Sequence, residues 1–251
     1  MRLCAAVPCF FGGIPFTEAI RRIGALGFDA AETYDWTRLD LPEVKRVCED
    51  NGVELLSMCT TDFRVNEPEH RGAFLDGVKR SCEAAVTVGA GKLITQGGQD
   101  TGAGRERQHA AIIETLLCAA PILEDAGVTL MLEPLNALFD HKGTFLTTSA
   151  EAFDIVRAVN SPSVKVIYDV YHQQITEGNV IPTVTANLSL IAHLHAAGHP
   201  GRHELQSGES NYRVIFDAVD KAGYTGACGL EYGPLLPPEE SLRIAKETFG
   251  A

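Results

Sequence analysis

The chain has 251 residues, 45% of them hydrophobic and 22% charged, with a formal net charge of −12. That balance suits a soluble globular protein able to bury a sizeable core. The excess of Asp and Glu argues against a nucleic-acid partner, because phosphate binding draws on Lys and Arg, and a small-molecule substrate is the expected ligand.

Met1-Arg2-Leu3-Cys4-Ala5-Ala6-Val7 opens the chain with an apolar run far too short for a signal peptide's core or a membrane span. It predicts a buried first strand over 2–7. Further runs of Val, Leu, Ile, Ala and Cys predict strands over 28–33, 53–59, 91–95, 128–133, 164–169, 191–197 and 226–232. Between them, apolar residues return every three or four positions over 16–26, 41–51, 73–88 and 107–126, the spacing of amphipathic helices. Gly27, Gly52, Gly89, Gly127 and Gly223 stand at helix-to-strand joints, where a left-handed cap is needed. The strand-to-helix joints 96–105, 136–148 and 198–211 are longer and more polar, and are expected on the functional face.

Eight strands alternating with helices in a chain of this length predict an α/β fold, a single eight-stranded parallel β/α (TIM) barrel occupying residues 1–251 as one domain; such barrels take roughly 250 residues. An open doubly wound sheet is the other solution for this alternation. Pro8-Cys9-Phe10-Phe11-Gly12-Gly13 after the first strand is no dinucleotide fingerprint, and the glycine cluster over 97–104 lacks the lysine of a phosphate loop. That cluster reads as a flexible lid or turn.

Four strands in the second half end on metal-capable side chains: Leu130-Met131-Leu132-Glu133, Val166-Ile167-Tyr168-Asp169, Ile191-Ala192-His193-Leu194-His195 and Cys228-Gly229-Leu230-Glu231. The C-terminal ends of barrel strands meet at one mouth, so Glu133, Asp169, His195 and Glu231 are expected to converge on a metal. Three carboxylates and one imidazole favour a divalent cation, Mg or Mn. His172 and Arg202 lie close enough in sequence to Asp169 and His195 to reach the same mouth. Arginine suits a carboxylate substrate, while a loop salt bridge to Glu204 or Glu209 is the alternative.

Four stretches carry a resemblance over nearly the whole chain: Glu133-Pro134-Leu135-Asn136; Tyr168-Asp169-Val170-Tyr171-His172-Gln173-Gln174-Ile175; Pro200-Gly201-Arg202-His203-Glu204 with Gly208-Glu209-Ser210-Asn211-Tyr212; and Gly229-Leu230-Glu231-Tyr232. They resemble the xylose-isomerase-like barrel superfamily, and most of all its hydroxypyruvate isomerase family. The resemblance implies metal ligation by Glu133, Asp169, His195 and Glu231, proton transfer by the pair Glu133 and Glu231, and substrate contact by His172 and Arg202. It implies interconversion of hydroxypyruvate and 2-hydroxy-3-oxopropanoate through an enediolate. Hydroxypyruvate isomerases typically carry glutamine where this chain has His195, and the related ketose 3-epimerases carry histidine. A ketose 3-epimerase acting on D-tagatose, D-psicose or a related sugar is therefore the alternative.

The remaining polar and aromatic residues carry weaker signals. Strand periodicity suggests that His193 faces away from the side His195 faces, as a hydrogen-bonded structural residue. His203-Glu204 begins like a zinc-protease helix, but Ser207 stands where a second histidine is required. Glu32, Tyr34 and Trp36 follow the second strand and Phe10 and Phe11 the first, and the aromatic residues among them read as pocket wall, core or dimer contact. The seven cysteines are scattered and form no CxxC pair, so they read as reduced core thiols, with Cys9 and Cys59 near strand ends. With no targeting segment recognised, the expected location is cytoplasmic, with no membrane or nucleic-acid partner and homo-oligomers allowed.

Overall fold

The computed structural model describes residues 1–250; of the expected domain, Ala251 lies outside the described residues. The chain runs β1 (Arg2–Ala6), α1 (Val7–Phe11), α2 (Phe16–Ala25), β2 (Ala30–Glu32), α3 (Leu41–Asp50), β3 (Glu54–Cys59), α4 (Arg71–Val88), β4 (Lys92–Gln96) and α5 (Arg105–Ala126). It continues through β5 (Thr129–Glu133), α6 (Ser149–Val159), β6 (Val164–Asp169), α7 (Val170–Thr176), α8 (Val180–Ala186), β7 (Ile191–Ala196), α9 (Tyr212–Lys221), β8 (Ala227–Leu230) and α10 (Pro238–Phe249). All eight strands pair in parallel with their sequence neighbours, and β8 pairs with β1, so the sheet closes as a TIM barrel. Closure leaves no sheet edge, which an open doubly wound sheet would have.

Two kinds of apolar packing follow from strand alternation. Inside the barrel, Cys4, Ala30, Leu56 and Ala227 form one small cluster, and Ile94, Met131 and Ile167 form another. Outside it, a much larger core joins the strands to the helix ring, with Phe74, Ile112, Leu116 and Leu123 fully buried on α4 and α5. The five joint glycines adopt φ between 63° and 92°, the left-handed conformation that returns each helix to the barrel. The return after α6 is made instead by Asn160 at φ 50°.

Some local expectations change. Phe10 and Phe11 lie on the short helix α1, which Pro8 permits at its first turn, and both are buried in the core. Phe10 meets the Tyr232 ring edge-on at 4.9 Å, so these two aromatics pack rather than wall a pocket. The glycine-rich turn over 97–104 is tied down: Asn66 Nδ2 donates to the Gln99 carbonyl at 2.6 Å, and Gln99 bridges Thr144. No helix among the described residues is long and apolar enough to cross a membrane.

Candidate active site

Parallel register aligns the strand ends: Gln96 stands opposite Glu133, Asp169 opposite His195, and His195 opposite Gly229. Glu133 and Asp169 are the last residues of β5 and β6, and Glu231 directly follows β8, where its N–H donates to the Ala196 carbonyl at 3.1 Å. The four residues expected at the mouth are thus carried there by four neighbouring strands. His195 Nδ1 lies 3.1 Å from Glu231 Oε2 and 3.7 Å from Glu133 Oε1. Glu133, Asp169, His172 and Glu231 each offer one ligand atom, all within 4.8 Å of one another.

Asp169 caps α7: its Oδ1 accepts from the backbone of Tyr171 at 2.8 Å and of His172 at 3.4 Å. That use of Oδ1 turns Oδ2 into the mouth, where it is buried without a hydrogen-bond partner, as is Glu133 Oε1. Buried carboxylate oxygens left unpaired cost about 1–3 kcal/mol each, and a cation at this mouth would satisfy Glu133 Oε1 and Asp169 Oδ2 together. Arg202 supplies part of that charge from its loop: Nη2 donates to Glu231 Oε2 at 2.6 Å and stands 3.8 Å from Asp169 Oδ2. Its partners are therefore site carboxylates and not Glu204, which is engaged by the Leu235 and Leu236 backbone and by Ser241.

The electrostatics follow from burial opposed by neighbouring charge. Burial and the nearby Glu231 raise Asp169 to about 6. Burial also acts to raise Glu231, but His195 and Arg202 outweigh it and hold that carboxyl well below the usual range. Its second oxygen, Oε1, accepts from Tyr34 OH at 2.7 Å. Burial pushes His172 down to about 4, so its ring is neutral at ordinary pH. Burial raises Cys9 to about 11 and Cys59 higher still, which keeps both as thiols and removes them as nucleophiles.

His193 corrects an expectation. Residues two apart on a strand share a face, and His193 and His195 both turn inward to Glu32: His193 Nε2 lies 3.2 Å from Oε2 and His195 Nε2 3.1 Å from Oε1. His193 is nonetheless a hydrogen-bonded, fully buried residue beneath the mouth. Glu32 does not wall the cavity; it is fully buried, also accepts from Ser57 Oγ at 2.8 Å, and its charge is strongly favoured because the histidines outweigh burial. The signal for Glu32 was the one used at the other strands, an apolar run ending on a carboxylate.

The cavity above the cluster has a volume of about 510 Å³, with Glu133, His195 and Glu231 at its base and Tyr34, Trp36, Thr60, Phe63 and His141 among its walls. Trp36 is anchored by Nε1 donating to the Cys59 carbonyl at 2.9 Å. Asn136, Asp140 and His141, between β5 and α6, were not singled out by spacing, because a loop carries no periodicity; Asn136 and Asp140 prove to brace His172 from behind.

The profile of the family described as xylose isomerase-like TIM barrel matches residues 20–248. The hydroxypyruvate isomerase of Escherichia coli (strain K12) is 31% identical over 255 aligned positions, covering 97% of each chain. A 2-oxo-tetronate isomerase of Cupriavidus necator is 30% identical and covers 99% of each. Among solved structures, one from Brucella melitensis described as an AP endonuclease, family 2, superposes with a TM-score of 0.92 at 26% identity, covering 99% of each chain. With its strand-end acids gathered at the mouth of a closed parallel barrel, and relatives of this kind along its full length, the chain belongs to the xylose isomerase-like TIM-barrel family and is an isomerase.

Proposed function

We propose that the protein is a metal-dependent isomerase that interconverts hydroxypyruvate and 2-hydroxy-3-oxopropanoate by proton transfer through an enediolate. The observation that carries this reading is the pair of buried carboxylate oxygens without hydrogen-bond partners, Glu133 Oε1 and Asp169 Oδ2, clustered with Glu231 and His172, with His195 Nδ1 3.1 Å from Glu231. Three carboxylates and one imidazole are a hard donor set that suits Mg or Mn. When bound, such a cation polarises the substrate carbonyl and stabilises the oxygen that becomes negative.

Glu133 and Glu231 stand at either side of the site on β5 and after β8, and each can hold the cation through one oxygen while the other exchanges a proton with carbon. For Glu231 the division is favoured by its partners, since Oε2 faces His195 and Arg202 while Oε1 is oriented by Tyr34. Arg202, freed from Glu231 when a metal supplies the charge, is the group suited to the substrate carboxylate. His172 is suited to a substrate oxygen.

A second reading is a ketose 3-epimerase using the same glutamate pair. It is favoured by the histidine at position 195 and by a cavity of about 510 Å³, ample for a longer hydroxylated chain. Turnover of hydroxypyruvate beside D-tagatose, D-fructose and D-psicose with Mg or Mn, in deuterated water, tests both. Deuterium entry with 2-hydroxy-3-oxopropanoate as product is expected; epimerised ketose alone reverses the ranking. Glu133→Gln and Glu231→Gln are each expected to reduce kcat by at least about 10²-fold, and near-normal turnover in either variant would refute the two-glutamate mechanism.

A further inference from the structure

Asn136 is fully buried, and its side chain has no freedom of orientation. Its Oδ1 accepts from the backbone N–H groups of Phe139 at 3.0 Å and Asp140 at 3.3 Å, so the amide nitrogen must face the other way. Nδ2 then donates to Asp140 Oδ2 at 2.7 Å and meets His172 Nδ1 at 2.6 Å. Asp140 is itself steadied by Tyr171 OH, which donates to the same oxygen at 3.0 Å. An amide N–H so close to Nδ1 requires a lone pair there, because a ring proton would set two donors head to head. The ring proton therefore sits on Nε2, which faces Asp169 Oδ2 at 3.4 Å. Arg202 Nη2 also approaches Nε2, at 3.5 Å, the outer limit of a hydrogen bond and far weaker than the contact to Asn136.

We propose that Asn136 is a positioning residue that holds His172 in the Nε2–H tautomer, making the ring a hydrogen-bond donor to the substrate oxygen that gains negative charge, and not a metal ligand. The three carboxylates Glu133, Asp169 and Glu231 cluster with His172, while His195 clusters with Glu32 and His193 and presents Nδ1 3.1 Å from Glu231 and 3.7 Å from Glu133, so the two rings compete for the fourth position. An imidazole nitrogen ligates through a lone pair, so a proton on the inward nitrogen of His172 assigns the fourth position to His195. The donor role rests on the reading of the site as an isomerase centre; the tautomer does not.

The test is long-range ¹H–¹⁵N NMR of the histidine-labelled full-length protein, with each ring assigned by substitution. His172 is expected as the Nε2–H tautomer, with Mg²⁺ shifting the His195 ring resonances strongly and those of His172 little. Asn136→Asp, nearly isosteric, replaces the donor with an acceptor. It is expected to move the proton to Nδ1 and to lower kcat on hydroxypyruvate about 10²-fold with little change in KM, the scale for losing one donor to a developing oxyanion. In a His172→Gln background the same substitution is expected to cost little more, whereas a purely structural role would add its full effect. An Nδ1–H tautomer or a charged ring in the wild type, Mg²⁺ ligation by His172, or additive costs would each overturn the proposal. Should Asn136→Asp fail to fold, the wild-type tautomer decides. A wild type inactive on hydroxypyruvate would refute the functional reading and leave the tautomer measurement to decide this one.

Discussion

Glu32 illustrates how a side chain outside the cavity governs one inside it. Its carboxylate is buried among Ser57 Oγ, His193 Nε2 and His195 Nε2, and His195 carries its other nitrogen into the mouth. A carboxylate behind a ligating histidine fixes ring orientation and strengthens the ring as a donor. Glu32→Gln keeps the shape and removes the charge, so Mn²⁺ affinity by isothermal titration calorimetry is expected to fall about 10–100-fold. Wild-type affinity in a folded variant would mean that Glu32 serves only the barrel interior. At this scale the strand-end acids were legible in the sequence because each closes an apolar run. The inward turn of His193 and the brace of Asn136 behind His172 were not, since they depend on a tilt and a loop path that no spacing encodes.

Strand β8 shows an element shaped around its neighbours' side chains. Gly229 sits opposite His195 in the ladder, and a Cβ there would collide with Glu32 Oε1 and lie 2.6 Å from His195 Cδ2. The glycine is needed for close approach, as its backbone is not in the left-handed region. Gly229→Ala is therefore expected to displace His195 and lower Mn²⁺ affinity by at least about tenfold, with a stability loss of about 1–3 kcal/mol from overpacking. Calorimetric metal binding together with denaturant unfolding reads both effects; wild-type values for both would contradict the close packing. The sequence showed the alternation of strands and helices and the glycine joints. It did not show α1 entering directly from β1, because five residues are too short for helical periodicity to register.

A metal held at the mouth of the closed barrel would link its binding to folding. Mn²⁺ at about 100 times its Kd is expected to stabilise the folded chain by about 2.7 kcal/mol, seen as a higher midpoint in a single thermal transition if residues 1–251 act as one domain. The pH dependence has a definite sign. Asp169 is raised from 3.8 to about 6 in the metal-free fold, so its contribution to stability falls as pH rises between those values. Glu231, held low by His195 and Arg202, works the other way, and its contribution is lost as pH falls below the usual carboxylate range. Metal binding requires Asp169 deprotonated and His195 neutral, and the carboxylates around His195 raise that ring well above its usual value, so the Mn²⁺-induced rise in midpoint is expected to keep growing with pH beyond the Asp169 range. Thermal scans from pH 5 to 8 with and without Mn²⁺ check this, and equal midpoints throughout would contradict a metal site at this mouth.

By itself the sequence determined the architecture and which strand ends meet at one mouth. Hydrophobic periodicity is a local property, and parallel strands joined by helices carry their C-terminal ends to one side, so Glu133, Asp169, His195 and Glu231 could be brought together without coordinates. Only the tertiary structure decided what each side chain touches there. Glu32 reaches His195 across the barrel interior, Tyr34 reaches Glu231 from the far end of the chain, and Asn136 turns the His172 ring. Those roles arise from contacts between residues far apart in sequence, set by strand tilt, register and loop path, and they exist only once the barrel is closed.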